Sequence, residues 1–179
     1  MEAVFSEVRM EYLRLASLVV LSTLGQKRGT YNREEGSMST EENKATVRRL
    51  MEESFGGSKP ELVDGLLDPD FVRYDPYIEA GEVRGAQTVK ENIAWFHNAF
   101  PDFSCTVEEQ VAEGEKVVSR WTVRGTHQGE FFGVGGTGNR VEFTGIQIDR
   151  FDESGRIVEE RAQFDLLGAM RQVGAVPEP

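Results

Sequence analysis

Arg140-Val-Glu-Phe-Thr-Gly-Ile-Gln-Ile-Asp-Arg-Phe-Asp152, Glu153-Ser-Gly155 and Arg156-Ile-Val-Glu-Glu-Arg-Ala-Gln-Phe164 read as strand, turn and strand, and this hairpin decides the fold. A three-residue hairpin loop puts its third residue in the left-handed region, where Gly155 fits because it has no Cβ. That pairs Asp152 with Arg156. Strict alternation then sets Asp149 opposite Glu159, Gln147 opposite Arg161 and Phe143 opposite Asp165 on one face. Ile146, Ile148, Val158, Ala162 and Phe164 fall on the other. The polar row is either a solvated face or the mouth of a polar-lined pocket, with Asp165 at its deeper end.

Asp165 stands between this strand and the apolar, helix-like Leu166-Leu-Gly-Ala-Met-Arg-Gln-Val173. Two roles compete for it. Asp is a favoured N-cap, and a cap is what a strand-to-helix junction needs. A carboxylate leaving the end of a sheet can also point into a cavity, where apolar walls raise its pKa and let it exchange protons near neutral pH.

Working outward, Cys105–Val111 and Lys116–His127 have the same β-rich texture as the hairpin, which predicts an antiparallel, curved sheet of long strands. The first half is helical. Ser39-Thr-Glu-Glu42 reads as a capping box, and Val47, Leu50, Met51 and Phe55 recur at helical spacing until Gly56-Gly57. A short helix follows Pro60, then a strand over Asp70–Asp75, then a third helix at about 86–100 with Val89, Ile93, Phe96 and Phe100 on one stripe. Helices first and sheet later is the order of an α+β domain whose helices cover one sheet face. The polar run Gln26–Ser37 has no periodic apolar face, so residues 1–37 are expected to be an extension, disordered or from a start assigned too far upstream, and 38–179 the domain.

The 179 residues suit one domain, with a formal charge of −11 at pH 7. Acidic and basic residues balance in 1–37, so the whole excess lies in 38–179 and repels phosphate backbones. No nucleic-acid partner is expected. The apolar run Leu15–Leu24 is far shorter than the roughly 20 residues that span a bilayer, and Glu2, Glu7 and Glu11 sit where a secretory leader is basic. This predicts no membrane association and a cytoplasmic protein. Cys105 is the sole cysteine, and with His97 and His127 it cannot make a Cys/His zinc cluster.

Gly133-Val-Gly-Gly-Thr-Gly138 matches a dinucleotide fingerprint as a string, but a strand-like run follows it instead of the helix whose N-terminus receives pyrophosphate. His127 ends a strand, where an imidazole either stabilises the turn or shuttles a proton; His97 reads as packing or surface. There is no G-x-S-x-G elbow or P-loop, and nothing activates Cys105. General acid–base chemistry by carboxylates and His remains, with Asp165 and His127 as candidate catalytic residues. Arg161 and Gln147 from the polar row, and the aromatics Phe143, Tyr74 and Trp121, are the candidate substrate-binding side chains.

Ala99-Phe-Pro-Asp102, Arg120-Trp-Thr-Val-Arg-Gly-Thr-His-Gln-Gly-Glu-Phe131 and Asp165-Leu-Leu-Gly-Ala-Met-Arg-Gln-Val-Gly174, in this order, resemble the SnoaL-like polyketide cyclases, also called ester cyclases, over roughly Glu42 to Gly174. The resemblance implies a nuclear-transport-factor-like cone: three N-terminal helices on a strongly curved antiparallel sheet that encloses a pocket. It also implies ring closure by intramolecular aldol condensation of a small carbonyl or polyketide-like substrate, without metal or organic cofactor, by an aspartate matching Asp165. Two departures stand out. Arg161 replaces the Trp common four residues before this Asp, and Tyr74-Asp75-Pro76 lacks the His often found there. Related cones include epoxide hydrolases that activate water with an Asp-Arg-Asp set, for which Asp149, Arg161 and Asp165 share the predicted face, and non-catalytic binding or dimer modules. Self-association is common among relatives, and Trp121 and Val123 on one side of a strand suggest a homodimer through that face.

Overall fold

The computed structural model describes residues 39–77 and 81–177, so the expected extension over 1–37 lies outside the described residues. Ser39 opens helix α1 (Thr40–Arg48) through the expected capping box: its hydroxyl accepts the Glu42 N–H at 3.2 Å, and the Glu42 carboxylate accepts the Ser39 N–H at 2.7 Å. The helix then widens into a π-helical segment, Arg49–Phe55, ended by the Gly56 N–H donating to the Met51 carbonyl. A 3₁₀ turn, Pro60–Leu62, leads into α2 (Val63–Leu66), and α3 spans Ala86–Ala99. The strands are β1 (Leu67–Tyr74), β2 (Glu82–Arg84), β3 (Ser104–Glu113), β4 (Lys116–Thr126), β5 (Arg140–Phe151) and β6 (Ile157–Phe164), followed by α4 (Leu166–Gln172). Among the described residues no helix is long and apolar enough to cross a membrane. The strand β5 directly after the Gly133–Gly138 run leaves no helix there to receive a pyrophosphate.

The six strands form one curved, open sheet in the order β2-β1-β6-β5-β4-β3, the expected α+β architecture. One pairing departs from the expected antiparallel pattern: β1 runs parallel to β6. A hairpin forces antiparallel neighbours, whereas β1 and β6 are joined by most of the domain, so no turn dictates their relative direction. The inner face is read by strict alternation. In β5, Val141, Phe143, Gly145, Gln147, Asp149 and Phe151 are buried, while Glu142, Thr144, Ile146 and Ile148 are exposed. Helices α1 and α3, with the π segment, close over this face around a core that includes Val47, Leu50, Phe71, Ile93 and Phe100.

The hairpin register departs from expectation in one place. Asp152 and Arg156 pair as expected, with the Asp152 N–H donating to the Arg156 carbonyl at 3.0 Å and Gly155 at φ 79°. Phe151 then pairs Ile157 while Arg150 pairs Glu159, so Val158 is left over as a β-bulge. A slip of one residue reverses the face of everything beyond it. Asp149 lies opposite Glu160 and Gln147 opposite Ala162, in place of the expected Glu159 and Arg161, and with Gly145 opposite Phe164 the register no longer sets Asp165 against Phe143. Glu160, Ala162 and Phe164 therefore turn inward with Gln147 and Asp149, and Arg161, Gln163 and Asp165 turn out.

Candidate functional site

Between the sheet's inner face and the helices lies a cavity of about 230 Å³. Its floor is a row of ionisable side chains made by the register. Asp149 on β5, Glu160 on β6 and Arg73 on β1 stand abreast on three neighbouring strands, all buried. The Arg73 guanidinium faces Glu160, with Nε 2.7 Å from Oε1 but without hydrogen-bond alignment, and Nη2 donating to Oε2 at 3.5 Å. Its Nη1 donates to Oδ1 of Asn92 on α3 at 3.0 Å, tying helix to sheet. Gln147 donates from Nε2 to both oxygens of Asp149, at 3.1 and 2.9 Å. Arg73, Asn92, Gln147 and Glu160 touch the cavity itself, and Asp149 lies behind them.

Burial, followed by the charge of Glu160, holds the Asp149 carboxyl well above the usual carboxylate range; the Gln147 hydrogen bond and Arg73 pull the other way without cancelling this. Two carboxyls side by side in a dry interior cannot both ionise cheaply, and Arg73 sits on the Glu160 side of the pair. Of the two, Asp149 is the carboxyl that favours keeping its proton. Cys105 also borders the cavity, as a neutral thiol pushed up to about 12 by burial and by the nearby Glu52 and Glu108.

The remaining walls are aromatic. Trp95 on α3 packs edge-on to Phe96 at 4.9 Å and to Phe132 at 5.2 Å, and Phe143 lies 5.4 Å from Phe164. Phe132 is 40% exposed and holds φ 47°, an uncommon backbone for a bulky residue, at the open side of the cavity. Trp121 spreads across Gly145, where a Cβ would come within 2.3 Å of the indole ring. Tyr77 closes one edge by donating its hydroxyl to the Phe164 carbonyl at 2.6 Å.

Of the residues singled out in the sequence, Gln147, Phe143 and Trp121 line this cavity. Trp121 and Val123 face inward, which removes the reason for placing a dimer contact on them. Arg161 is on the outer face, its guanidinium 4.1 Å from the Tyr74 ring, and both border a separate open depression. The set Asp149, Arg161 and Asp165 is thus divided between the two sides of the sheet.

Asp165 is exposed and caps α4, accepting the Gly168 N–H at 2.8 Å, while its own N–H donates to the Thr144 carbonyl. It does not border the cavity. The apolar surroundings expected of it belong to Phe164, one residue earlier, because the Val158 bulge turned Asp165 out. His127 is buried between Phe100 and Phe131, with Nδ1 3.0 Å from the Thr137 hydroxyl, and stands outside the cavity lining. Its main chain pins the Gly-rich loop, donating to Asn139 and accepting from Gly138. Among the described residues no cluster of three His, Cys, Asp or Glu is placed to hold a metal ion.

The polar floor of the cavity also holds Arg73, Asn92 and Glu160, which the sequence did not single out. Arg73 was legible in part, since it shares parity with buried Phe71 on one strand. Glu160 was not, because no residue type announces a bulge at Val158.

The sequence profile of the SnoaL-like polyketide cyclases matches residues 45–173. No curated relative matches the chain. Among solved structures, TsrD from Streptomyces laurentii superposes with a TM-score of 0.70 at 25% identity, covering 78% of this chain and 100% of that one. IdmH from Streptomyces antibioticus, provisionally assigned as a polyketide cyclase, gives 0.64 at 30% identity over 74% and 98%. AclR from Streptomyces galilaeus, provisionally assigned as a hydroxylase, gives 0.67 at 30% identity over 79% and 86%, so similar scaffolds carry different assignments.

Proposed function

Because the chain belongs to the SnoaL-like polyketide cyclase family, we propose that it closes a ring in a small carbonyl substrate by acid–base catalysis, with Glu160 as the base. The observation that carries this reading is the cavity floor, where Glu160 borders the open space and is held by Arg73. In the reaction, the Glu160 carboxylate takes a proton from the carbon alpha to one carbonyl. The resulting enolate carbon bonds to a second carbonyl carbon of the same molecule, and the alkoxide formed takes the proton back. Nothing is oxidised or reduced, and the product is an isomer of the substrate. Arg73 and Asn92 border the cavity; an N–H of either that is not engaged with Glu160 or with the other would stabilise the oxygen on which charge builds, and removal of such a donor typically costs about 10²-fold or more.

The test is incubation with small dicarbonyl compounds, with the products separated by liquid chromatography and identified by mass spectrometry and NMR. An isomeric ring product is expected from the natural chain. Glu160→Gln is expected to slow its formation by about 10²-fold or more, the scale of a general base, while Asp165→Asn leaves it unchanged. Since Gln at 160 leaves Arg73 buried without its partner, the paired replacement Arg73→Met with Glu160→Leu removes both charges in a form interiors tolerate and should be equally inactive. Turnover that survives in both variants, or vanishes in Asp165→Asn, refutes this assignment.

A second reading rests on the same row. The Glu160 carboxylate at the cavity, with Arg73 beside it and Asp149 behind, can activate a water against an epoxide instead of drawing a proton from carbon. A product heavier by one water, labelled from H₂¹⁸O, marks that chemistry. We further propose that the chain self-associates through the outer face of the sheet.

A further inference from the structure

The cavity's charges select its ligand. Arg73 is occupied by Glu160 and Asn92, so an anion meets an arginine only by displacing a buried carboxylate from it. Asp149, behind, keeps its proton through burial and the neighbouring Glu160 charge. Besides Glu160, the other carboxylate on the lining is Asp75, half-buried at the rim, where it accepts the Tyr77 N–H at 2.9 Å. A cation on the floor would lose its water against aromatic walls for a Glu160 carboxylate that Arg73 already pairs. Size adds a limit: in proportion to benzene in a cavity of about 150 Å³, the space holds roughly nine non-hydrogen atoms before a ligand passes Phe132 at the mouth.

We infer that the cavity takes an uncharged, single-ring-sized carbonyl compound, its oxygen toward Arg73 and Asn92 and its apolar body against Trp95 and Phe132. This deepens the ring-closure reading and rests on it for the carbonyl, whereas the preference for an uncharged ligand is a property of binding alone. Specificity of this kind comes from groups that penalise the wrong ligand as much as from those that hold the right one.

Both tryptophans of the chain, Trp95 and Trp121, line the cavity, so their fluorescence reports occupancy directly. The probes are cyclohexyl methyl ketone, the nearly isosteric cyclohexanecarboxylate, cyclohexylmethylammonium and the three-ring 2-acetylanthracene, each titrated into the natural chain with calorimetry as a second readout. The ketone is expected to bind at least about tenfold more tightly than either charged probe and than the three-ring ketone. In Glu160→Gln, Arg73 loses its counter-charge, and the preference should turn toward the carboxylate by about tenfold. A carboxylate or ammonium probe that matches the ketone on the natural chain overturns the inference, as does a three-ring ketone bound equally well. If Glu160→Gln does not fold, the natural chain's four titrations still decide it. Selective ketone binding without any ring product sinks the cyclase reading and leaves this one standing; ring closure of an anionic dicarbonyl does the reverse.

Discussion

Asp149 is the residue whose titration reaches furthest into stability. Its folded pKa is raised above the unfolded value of about 3.9, so the native state holds a proton that the unfolded chain releases. Stability is then fully present below about pH 3.9, declines as pH rises from there, and stops declining once pH has passed the folded pKa. Within that window one proton corresponds to a slope on the order of 1.4 kcal/mol per pH unit. Asp149→Asn carries no titrating group, so denaturant unfolding measured between pH 4 and 8 should give a flatter profile for the variant than for the natural chain. Parallel profiles would show that Asp149 is ionised in the fold. Asp165 makes the opposite case. As an exposed cap, Asp165→Asn should be close to neutral and Asp165→Ala should cost about 1 kcal/mol in the same unfolding measurement. A loss from Asn as large as from Ala would mean that the carboxylate charge, and not the cap, is what position 165 needs.

At the scale of the element, β6 shows how one residue decides which side chains meet the cavity. Phe151 and Ile157 pair on the inner face, and without Val158 the ladder would continue through Arg150–Glu159 and Asp149–Glu160 unbroken. Deleting Val158 therefore keeps Glu160, Ala162 and Phe164 inward, and is expected to retain fold and ketone binding at a loss of about 1–2 kcal/mol, within the usual range for one site. Deleting Arg161 instead turns Ala162 outward, takes Phe164 out of the wall and abolishes binding; equal behaviour of the two deletions would refute the register. The same arithmetic explains what the sequence revealed. Ser39 and Glu42 announced α1, Gly155 the hairpin turn, and the stripe of Val89, Ile93 and Phe96 announced α3, because caps, turns and helical stripes are local signals. A bulge carries no such signature, and neither does a parallel contact between β1 and β6, which follows from the closure of the whole sheet. The cavity lies on strands singled out in the sequence and is lined by Gln147, Phe143 and Trp121, while β6 turns the opposite face to the one expected, so that Glu160 borders the cavity and Asp165 and Arg161 do not.

At the scale of the whole molecule, the outer face of the sheet carries aliphatic side chains that the described residues leave exposed. Val111, Val118 and Ile148 stand abreast on β3, β4 and β5, at 62%, 38% and 41% exposure, and Ile146 lies two residues along β5 at 53%. Four aliphatic side chains in register on a sheet surface form a continuous strip, and soluble chains usually cover such strips. A second copy presents the same strip, so a two-fold contact covers both at once, which is the commonest symmetry among soluble oligomers. The formal charge of −11 on each copy opposes the contact, and salt screens that repulsion over about 10 Å at 0.1 M. Association by burial of the strip should therefore strengthen as salt rises, whereas association through surface ion pairs would weaken. Sedimentation at micromolar concentration is expected to show a dimer whose dissociation constant falls between 0.05 and 0.5 M salt. Val118→Glu with Ile148→Glu should give a monomer that still binds the ketone, because neither side chain faces the cavity. A natural chain that sediments as a monomer throughout that range, or a dimer indifferent to both glutamates, would remove the strip as a contact surface.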